Sequence, residues 1–258
     1  MSQMAKFAYS QARLHARHGN RLDDDDWRRL TGVGGLLQLL QAARASALRP
    51  WVLPFSESTD MHTMEHWLRR QFREYVDTVA GWQPAPWRDA LRWTRRLVDL
   101  PALRYLLSGK LAWTWMWEDD AIGPFVSEDG RVQVETMRES DCAPLVQAFE
   151  GGESLLDGWL GHWRKLWPTP MRRLTAPLES VDSLLRRHVD ELTASIDARE
   201  IVRKREQLKS QLVAGFRRHV HDPAGAYFHL ALTAADIAVL RGELARHRLF
   251  EINRRTGK

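Results

Sequence analysis

Residues 61–81 read MHTMEHWLRRQFREYVDTVAG, and this stretch decides the fold class. Its apolar side chains are Met61, Met64, Leu68, Phe72, Tyr75 and Val79, spaced 3, 4, 4, 3 and 4 apart. That spacing puts them on one stripe of a long amphipathic helix, because 3.6 residues make a turn. Gly81 predicts its end, and Pro84 and Pro86 predict the start of another helix running to about Leu107. Pro101 lies inside that second pattern and should interrupt it, since proline has no N–H to give the ladder.

The same periodicity extends in both directions. Residues 5–20 read as a short helix closed by Gly19-Asn20. Asp23 to Asp26 place negative charge before Trp27 and Leu30, where a helix N-terminus favours it. The run lacks the glycine and glutamate of a calcium loop. Gly32, Gly34 and Gly35 fit neither the Rossmann nor the P-loop phosphate pattern. A helix over 36–48 follows, with Pro50 and Pro54 closing it. Downstream, Gly151-Gly152 precedes a helix over 154–167, stopped by Pro168 and Pro170. Leu178, Val181, Leu185, His188, Leu192 and Ile196 form another stripe, continued by Leu208, Leu212 and Phe216. Asp222-Pro223 opens the last helix, whose stripe is Tyr227, Leu230, Ile237, Leu240 and Leu244. One segment differs. Phe125-Val126 and Val132-Gln133-Val134 flank Asp129-Gly130, which predicts a small β-hairpin insertion near 124–134.

Composition agrees with a mainly α fold: 34 Leu stand against 20 Ile plus Val. With 258 residues, the chain can bury a core without staples. Its 44% apolar and 28% charged residues are those of a globular protein. A single cysteine, Cys142, excludes an internal disulfide and any multi-cysteine metal site. No run is long and apolar enough to span a membrane, and Met1 to Phe7 has no signal-peptide pattern, so a cytoplasmic protein is expected. The net charge of +5 and pI of 9.6 invite a nucleic-acid reading, but 33 acidic residues are dispersed among the 38 basic ones. Arg provides 32 of those basic residues, and there are twelve Trp. Both types are enriched at protein interfaces, although a GC-rich genome raises Arg as well.

Three motifs bear on chemistry. His62-Thr-Met-Glu65-His66 fits the inverted zinc-protease pattern H-x-x-E-H. On a helix, His62 and His66 share a face and could hold one zinc, with Glu65 as general base and Glu135 or Glu139 as a third ligand. The bland alternative makes both histidines the polar flank of the stripe. His15 with His18, and His219 with His221, are pairs lacking a third ligand nearby, while His162 and His188 read as packed or surface imidazoles. Cys142 has no activating base beside it and reads as a structural thiol. Trp113-Thr-Trp115-Met-Trp117 puts three indoles on one side if extended, and spreads them around a helix otherwise. It is either a core cluster beside the hairpin or an exposed aromatic patch for a partner or the lipid–water interface.

Asp99-Leu-Pro-Ala-Leu-Arg104 matches Asp236-Ile-Ala-Val-Leu-Arg241 as an internal Asp-(Leu/Ile)-x-x-Leu-Arg repeat, placed late in two long helices. Phe-Ala-Tyr-Ser-Gln-Ala-Arg-Leu-His-Ala-Arg near residue 7, the acidic helix after it, and Leu36-Leu37-Gln-Leu-Leu40 running towards Trp51 make up one end. The other end is the helix from Asp222-Pro223 to Phe250. Together they resemble the C/d subunit of the V-type and A-type rotary ATPases. The matching ends cover about a third of the chain.

The resemblance implies a single domain over residues 1–258, built of three related helical modules (about 1–110, 111–170 and 171–258) that form a funnel. It implies a non-catalytic central-stalk adaptor between the membrane proteolipid ring and the central stalk, serving proton or sodium transport. No catalytic residue, cofactor or metal is expected, and no nucleic-acid partner. The location implied is cytoplasmic, peripheral on the inner membrane through the complex. Arg104 and Arg241 are the expected stalk-facing side chains, with Trp113, Trp115 and Trp117 as further protein contacts. A zinc-dependent hydrolase and an Arg-rich nucleic-acid-binding protein are the alternatives.

Overall fold

A computed structural model describes residues 3–168, 172–193, 197–219 and 222–256. Pro170, Ile196 and His221 lie outside the described residues. The described residues are mainly helical, with no strand among them. The chain opens with α1 (Gln3–Gly19), α2 (Asp24–Thr31), α3 (Leu36–Arg44) and α4 (Arg49–Val52). The long α5 (Met61–Trp82) and short α6 (Arg88–Arg92), α7 (Leu100–Leu107) and α8 (Thr114–Glu118) follow. Then come α9 (Val134–Arg138), α10 (Ala143–Glu150) and α11 (Leu155–Lys165). Three long helices end the fold: α12 (Arg172–Thr193), α13 (Ala198–Arg218) and α14 (Ala224–Thr256).

Side-chain caps set several of the starts. The Asp23 carboxylate accepts from the Asp26 N–H while Asp26 reaches back to the Asp23 N–H, a reciprocal capping box for α2. Asp60 caps α5 through the Thr63 N–H, and Ser154 caps α11 through the Asp157 N–H. The Asp23–Asp26 run is thus a helix cap.

Helices α5 and α14 are the spine. Phe72, Val76 and Val79 of α5 join Tyr227, Phe228 and Leu230 of α14 in the main core, with Trp93, Trp159, Trp163 and Phe216. One or two turns away, Met64 and Leu68 of α5 meet Leu240 and Leu244 of α14 in a second core filled by α2, α3 and α4. A smaller third core gathers Leu106, Trp115, Met116, Ile122 and Val126. Each such side chain removed from water contributes roughly 1.5–3 kcal/mol before entropy is counted. Of the twelve Trp, only Trp113 and Trp117 are exposed. The tryptophan excess is therefore mainly a packing feature.

Three expectations need correction. The hairpin near 124–134 does not form; its residue is one isolated antiparallel bridge between Val126 and Val132. Pro124 sits in a 3-10 turn, Gly123–Phe125, and the Val126 N–H is spent on the Gly123 carbonyl. On the far side Val134 already begins α9, so no second strand is left. Gly130, at φ +82°, still makes the turn. Second, Asp99 does not lie late in a long helix. The chain passes from a 3-10 segment, Trp93–Val98, through Asp99 into α7, where Pro101 takes an early position that needs no N–H. Asp236, by contrast, sits inside α14. Third, α3 stops at Arg44, and Pro50 falls in the first turn of α4 instead of closing a helix.

Candidate functional site

Helices α5, α7 and α14 leave a groove of about 510 Å³ between them, and the segment around α8 closes one end. Met61, His62, Glu65 and Arg69 line it from α5, one turn apart on a single face. Tyr105 comes from α7, Trp113 and Trp115 from the α8 segment, and Arg241 from α14.

The Trp113-x-Trp115-x-Trp117 segment is helical from Thr114, so its indoles diverge. Trp115 packs into the third core, and the Arg69 guanidinium lies 4.7 Å above its ring. Trp113 is 50% exposed and Trp117 42%. The Trp113 indole donates to the Tyr105 hydroxyl at 2.6 Å and stands edge-on to His62 and Tyr105. Leu111, also exposed, extends this apolar surface. Of the residues anticipated from sequence, Trp113, Trp115 and Arg241 therefore line one groove. Trp117 lies beside Gly130 on the adjoining surface. Arg104 is exposed and does not line the groove.

Charged groups stiffen the floor. Glu65 accepts from Arg69 at 2.8 Å and from Arg241 at 3.2 Å, tying α5 to α14. One turn further, Arg73 bridges Asp99 at 2.8 Å and Asp119 at 2.6 Å. Both carboxylates are fully shielded from solvent, and Arg96 Nη1 approaches the second Asp99 oxygen at 3.6 Å. Burial pushes the Asp99 carboxyl up, against the pull of Arg73 and Arg96. Removing one partner of such a network strands a buried charge, which costs on the order of 3–5 kcal/mol.

This geometry bears on the H-x-x-E-H motif. His62 faces Trp113, while His66 Nε2 is 3.9 Å from Asp119, and Glu65 is engaged by two arginines. Glu135 pairs with Arg138 on α9. Among the described residues no group of three or more His, Cys, Asp or Glu side chains is placed to hold a metal. Cys142 is buried at the start of α10, and burial pushes its thiol up to about 12, as fits a structural thiol.

A second cavity of about 670 Å³ opens between α1, α5, α14 and the turn joining α3 to α4. Arg21, Tyr75, His229 and Asp236 line it. Asp236 carried a sequence signal through the internal repeat and Tyr75 through the stripe of α5; Arg21, in the turn after α1, and His229, on α14, carried none. The two repeat aspartates do have one thing in common. Each is buried and salt-bridged to an arginine from a distant segment, Asp99 to Arg73 and Asp236 to Arg21.

Comparison of the chain with protein-family models, with curated proteins and with solved structures finds no match.

Proposed function

We propose that this chain is a non-catalytic coupling subunit of a V-type or A-type rotary ATPase, placed between the membrane proteolipid ring and the central stalk. In that position it passes torque and serves proton or sodium transport. The observation that carries the reading is the groove bearing Trp113 and Arg241. It presents exposed aromatic surface and arginine on a rigid helical frame, the composition of a protein-binding patch. The all-helical architecture and the resemblance of the two chain ends support the same assignment. Peripheral attachment on the cytoplasmic face of the inner membrane belongs to the proposal. Among the described residues no helix is long and apolar enough to cross a membrane.

Neither alternative gains an observation of its own. Glu65 is committed to Arg69 and Arg241, and arginines at positions 21, 28, 29, 73, 96, 138, 164 and 186 are paired with carboxylates, which weakens a phosphate-binding face.

The test is a mild-detergent pull-down of the tagged chain from its native membranes, with partners identified by mass spectrometry. Recovery of a small proteolipid together with stalk and nucleotide-binding ATPase subunits supports the assignment. Recovery only from the soluble fraction, without ATPase subunits, overturns it.

A further inference from the structure

The Trp113 groove does not end at Arg241. A smaller stretch of about 160 Å³ continues it along α14, and the two share Glu65, Arg69, Pro101 and Arg241. Together they make one trough, lined by α5 below and walled by α7 and α14. The α14 wall is Ala234, Ala238, Gly242 and Ala245, spaced 4, 4 and 3, so the four share one stripe. Residues 234–245 of a helix span roughly 17 Å, about three turns. Ala238 and Gly242 are exposed, and nothing from the rest of the chain lies within 4 Å of where a Gly242 Cβ would point. Side chains this small leave room for a second backbone. The facing wall, Pro101, Ala102, Tyr105 and Trp113, is apolar and aromatic.

The trough has one surplus charge. Among the described residues Glu65 is the one carboxylate that lines it, against the guanidinium groups of Arg69 and Arg241. Arg69 is spent: Nε and Nη2 engage Glu65, Nη1 donates to the Val98 carbonyl, and its face covers Trp115. Asp99 and Asp119 lie beneath, fully shielded and held by Arg73. Arg241 is only half engaged. Its Nη1 reaches Glu65 at 3.2 Å, its Nε and Nη2 make no hydrogen bond among the described residues, and its side chain is 51% exposed. Lys110 Nζ, 5.1 Å from the centre of the Tyr105 ring, adds positive charge near that wall.

These features select the shape and the charge of an occupant. The walls are helices whose backbone groups are already paired, so an extended chain would find no ladder to join. A helix satisfies its own backbone and brings only side chains to the contact. We propose that the trough seats an amphipathic helix of a partner protein. About three turns of it lie between α7 and α14 with the apolar face down, and an Asp or Glu on its flank accepts from the free N–H groups of Arg241. This rests on the reading of the groove as a protein-binding patch and names the chemistry of what binds there.

The experiment places the photo-cross-linker benzoylphenylalanine in the full tagged chain, at Trp113, where it replaces one exposed ring by another, or at Ala238. Cells expressing each form are irradiated, and the cross-linked peptides are mapped by mass spectrometry. Both positions are expected to join one segment of one partner, with apolar residues at helical spacing and an Asp or Glu beside them. Arg241→Gln should lower the cross-link roughly tenfold, as for one charge-assisted hydrogen bond. Glu65 keeps Arg69 in that variant, so the floor is retained. Arg241→Glu, combined with Arg in place of the mapped carboxylate, should restore the cross-link. The proposal is overturned if neither position joins a partner, if the joined segment lacks helical apolar spacing or a carboxylate, if it belongs to a second copy of this chain, or if Arg241→Gln leaves the yield unchanged. A segment of the expected kind from a protein that is no ATPase subunit supports the helix site and overturns the coupling reading. ATPase subunits recovered with no cross-link in the trough do the reverse.

Discussion

Trp93 and Trp159 exchange hydrogen bonds. The Trp93 indole N–H donates to the Trp159 carbonyl at 3.0 Å, the Trp159 indole N–H donates to the Trp93 carbonyl at 3.1 Å, and the rings stack 12° from parallel. The pair locks the 3-10 segment before α7 to α11, across 66 residues of chain. Both donors and both acceptors are buried, so each indole satisfies a backbone group that water cannot reach. Trp93→Phe keeps most of the ring area but removes the indole donor from the Trp159 carbonyl. It should destabilise the fold by about 1–3 kcal/mol. Trp93→Phe combined with Trp159→Phe should cost clearly less than the sum, because the two bonds share one geometry. Urea unfolding of the three variants gives the answer; strict additivity would contradict the reciprocal pairing.

Two helix crossings depend on a missing side chain. A Cβ on Gly215 of α13 would sit 2.4 Å from the Phe228 ring of α14, and one on Gly158 of α11 would sit 2.4 Å from the Ala148 Cβ of α10. Helix propensity alone favours alanine at both places, by about 1 kcal/mol. The clash reverses the sign: Gly215→Ala and Gly158→Ala should each lower stability by roughly 1–3 kcal/mol. Gly161→Ala is the control, since nothing lies near its Cβ position, and it should stabilise. Thermal unfolding of the three separates packing from propensity.

The tryptophan segment makes opposite demands on neighbouring residues. Trp115→Ala empties a buried site and should cost about 3–5 kcal/mol. Trp113→Ser and Trp117→Ser alter exposed rings and should shift stability by less than about 1 kcal/mol. Under the coupling-subunit proposal the double exposed variant remains folded and loses its co-purifying subunits. A folded double variant that recovers those subunits at the wild-type level would remove this groove from the interface.

His229 makes stability fall in acid. Its folded pKa of about 3 lies below the ordinary 6.5, so below pH 6.5 the unfolded chain binds a proton that the folded chain refuses. The stabilising contribution is complete above pH 6.5 and is lost as pH falls towards 3, amounting to on the order of 4 kcal/mol. Burial raises the carboxyls of Asp99 and Asp236, which act in the opposite sense. The readout is therefore the difference between wild type and His229→Gln, which keeps an acceptor for Tyr75. Wild type should lose more stability than the variant between pH 7 and pH 4.5. Equal losses would place His229 in a solvated environment.

Tyr75 sets a limit at the alkaline end. Burial pushes its phenol up to about 12, so above pH 10 the unfolded chain ionises first and the folded state loses ground. Spectrophotometric titration should show Tyr75 and the buried Tyr227 ionising together as the fold is lost, and Tyr75→Phe should halve the amplitude of that step.

How much of this was legible in the chain depends on the range of the cause. The stripe from Met61 to Val79 places α5, and its outline survives: Met64, Leu68, Phe72 and Val79 are buried, Met61 and Tyr75 partly so. The Asp23 run announces a cap, Pro101 announces a break, and Asp222-Pro223 announces the last helix; each acts within a turn of itself. The hairpin failed for an equally local reason, Pro124 and the helix beginning at Val134, which the alternation of Phe125, Val126 and Val132 concealed. The Trp segment could be read only as two alternatives, since helix and extended chain send its indoles to different neighbours.

The sequence by itself determined that the chain is mainly helical, where several of its helices begin, and which face of the long ones is apolar, because hydrogen-bonded turns and their caps are settled among residues three or four apart. Tertiary structure alone decided that Glu65 meets Arg241, that Arg73 meets both Asp99 and Asp119, and that Arg21, Tyr75, His229 and Asp236 surround one cavity. Those partners come from segments 26 to 215 residues apart along the chain. A single sequence carries no periodicity over such spans. The docking of α5 against α14 brings them together, through apolar contacts that are too unspecific in residue type to be read one helix at a time.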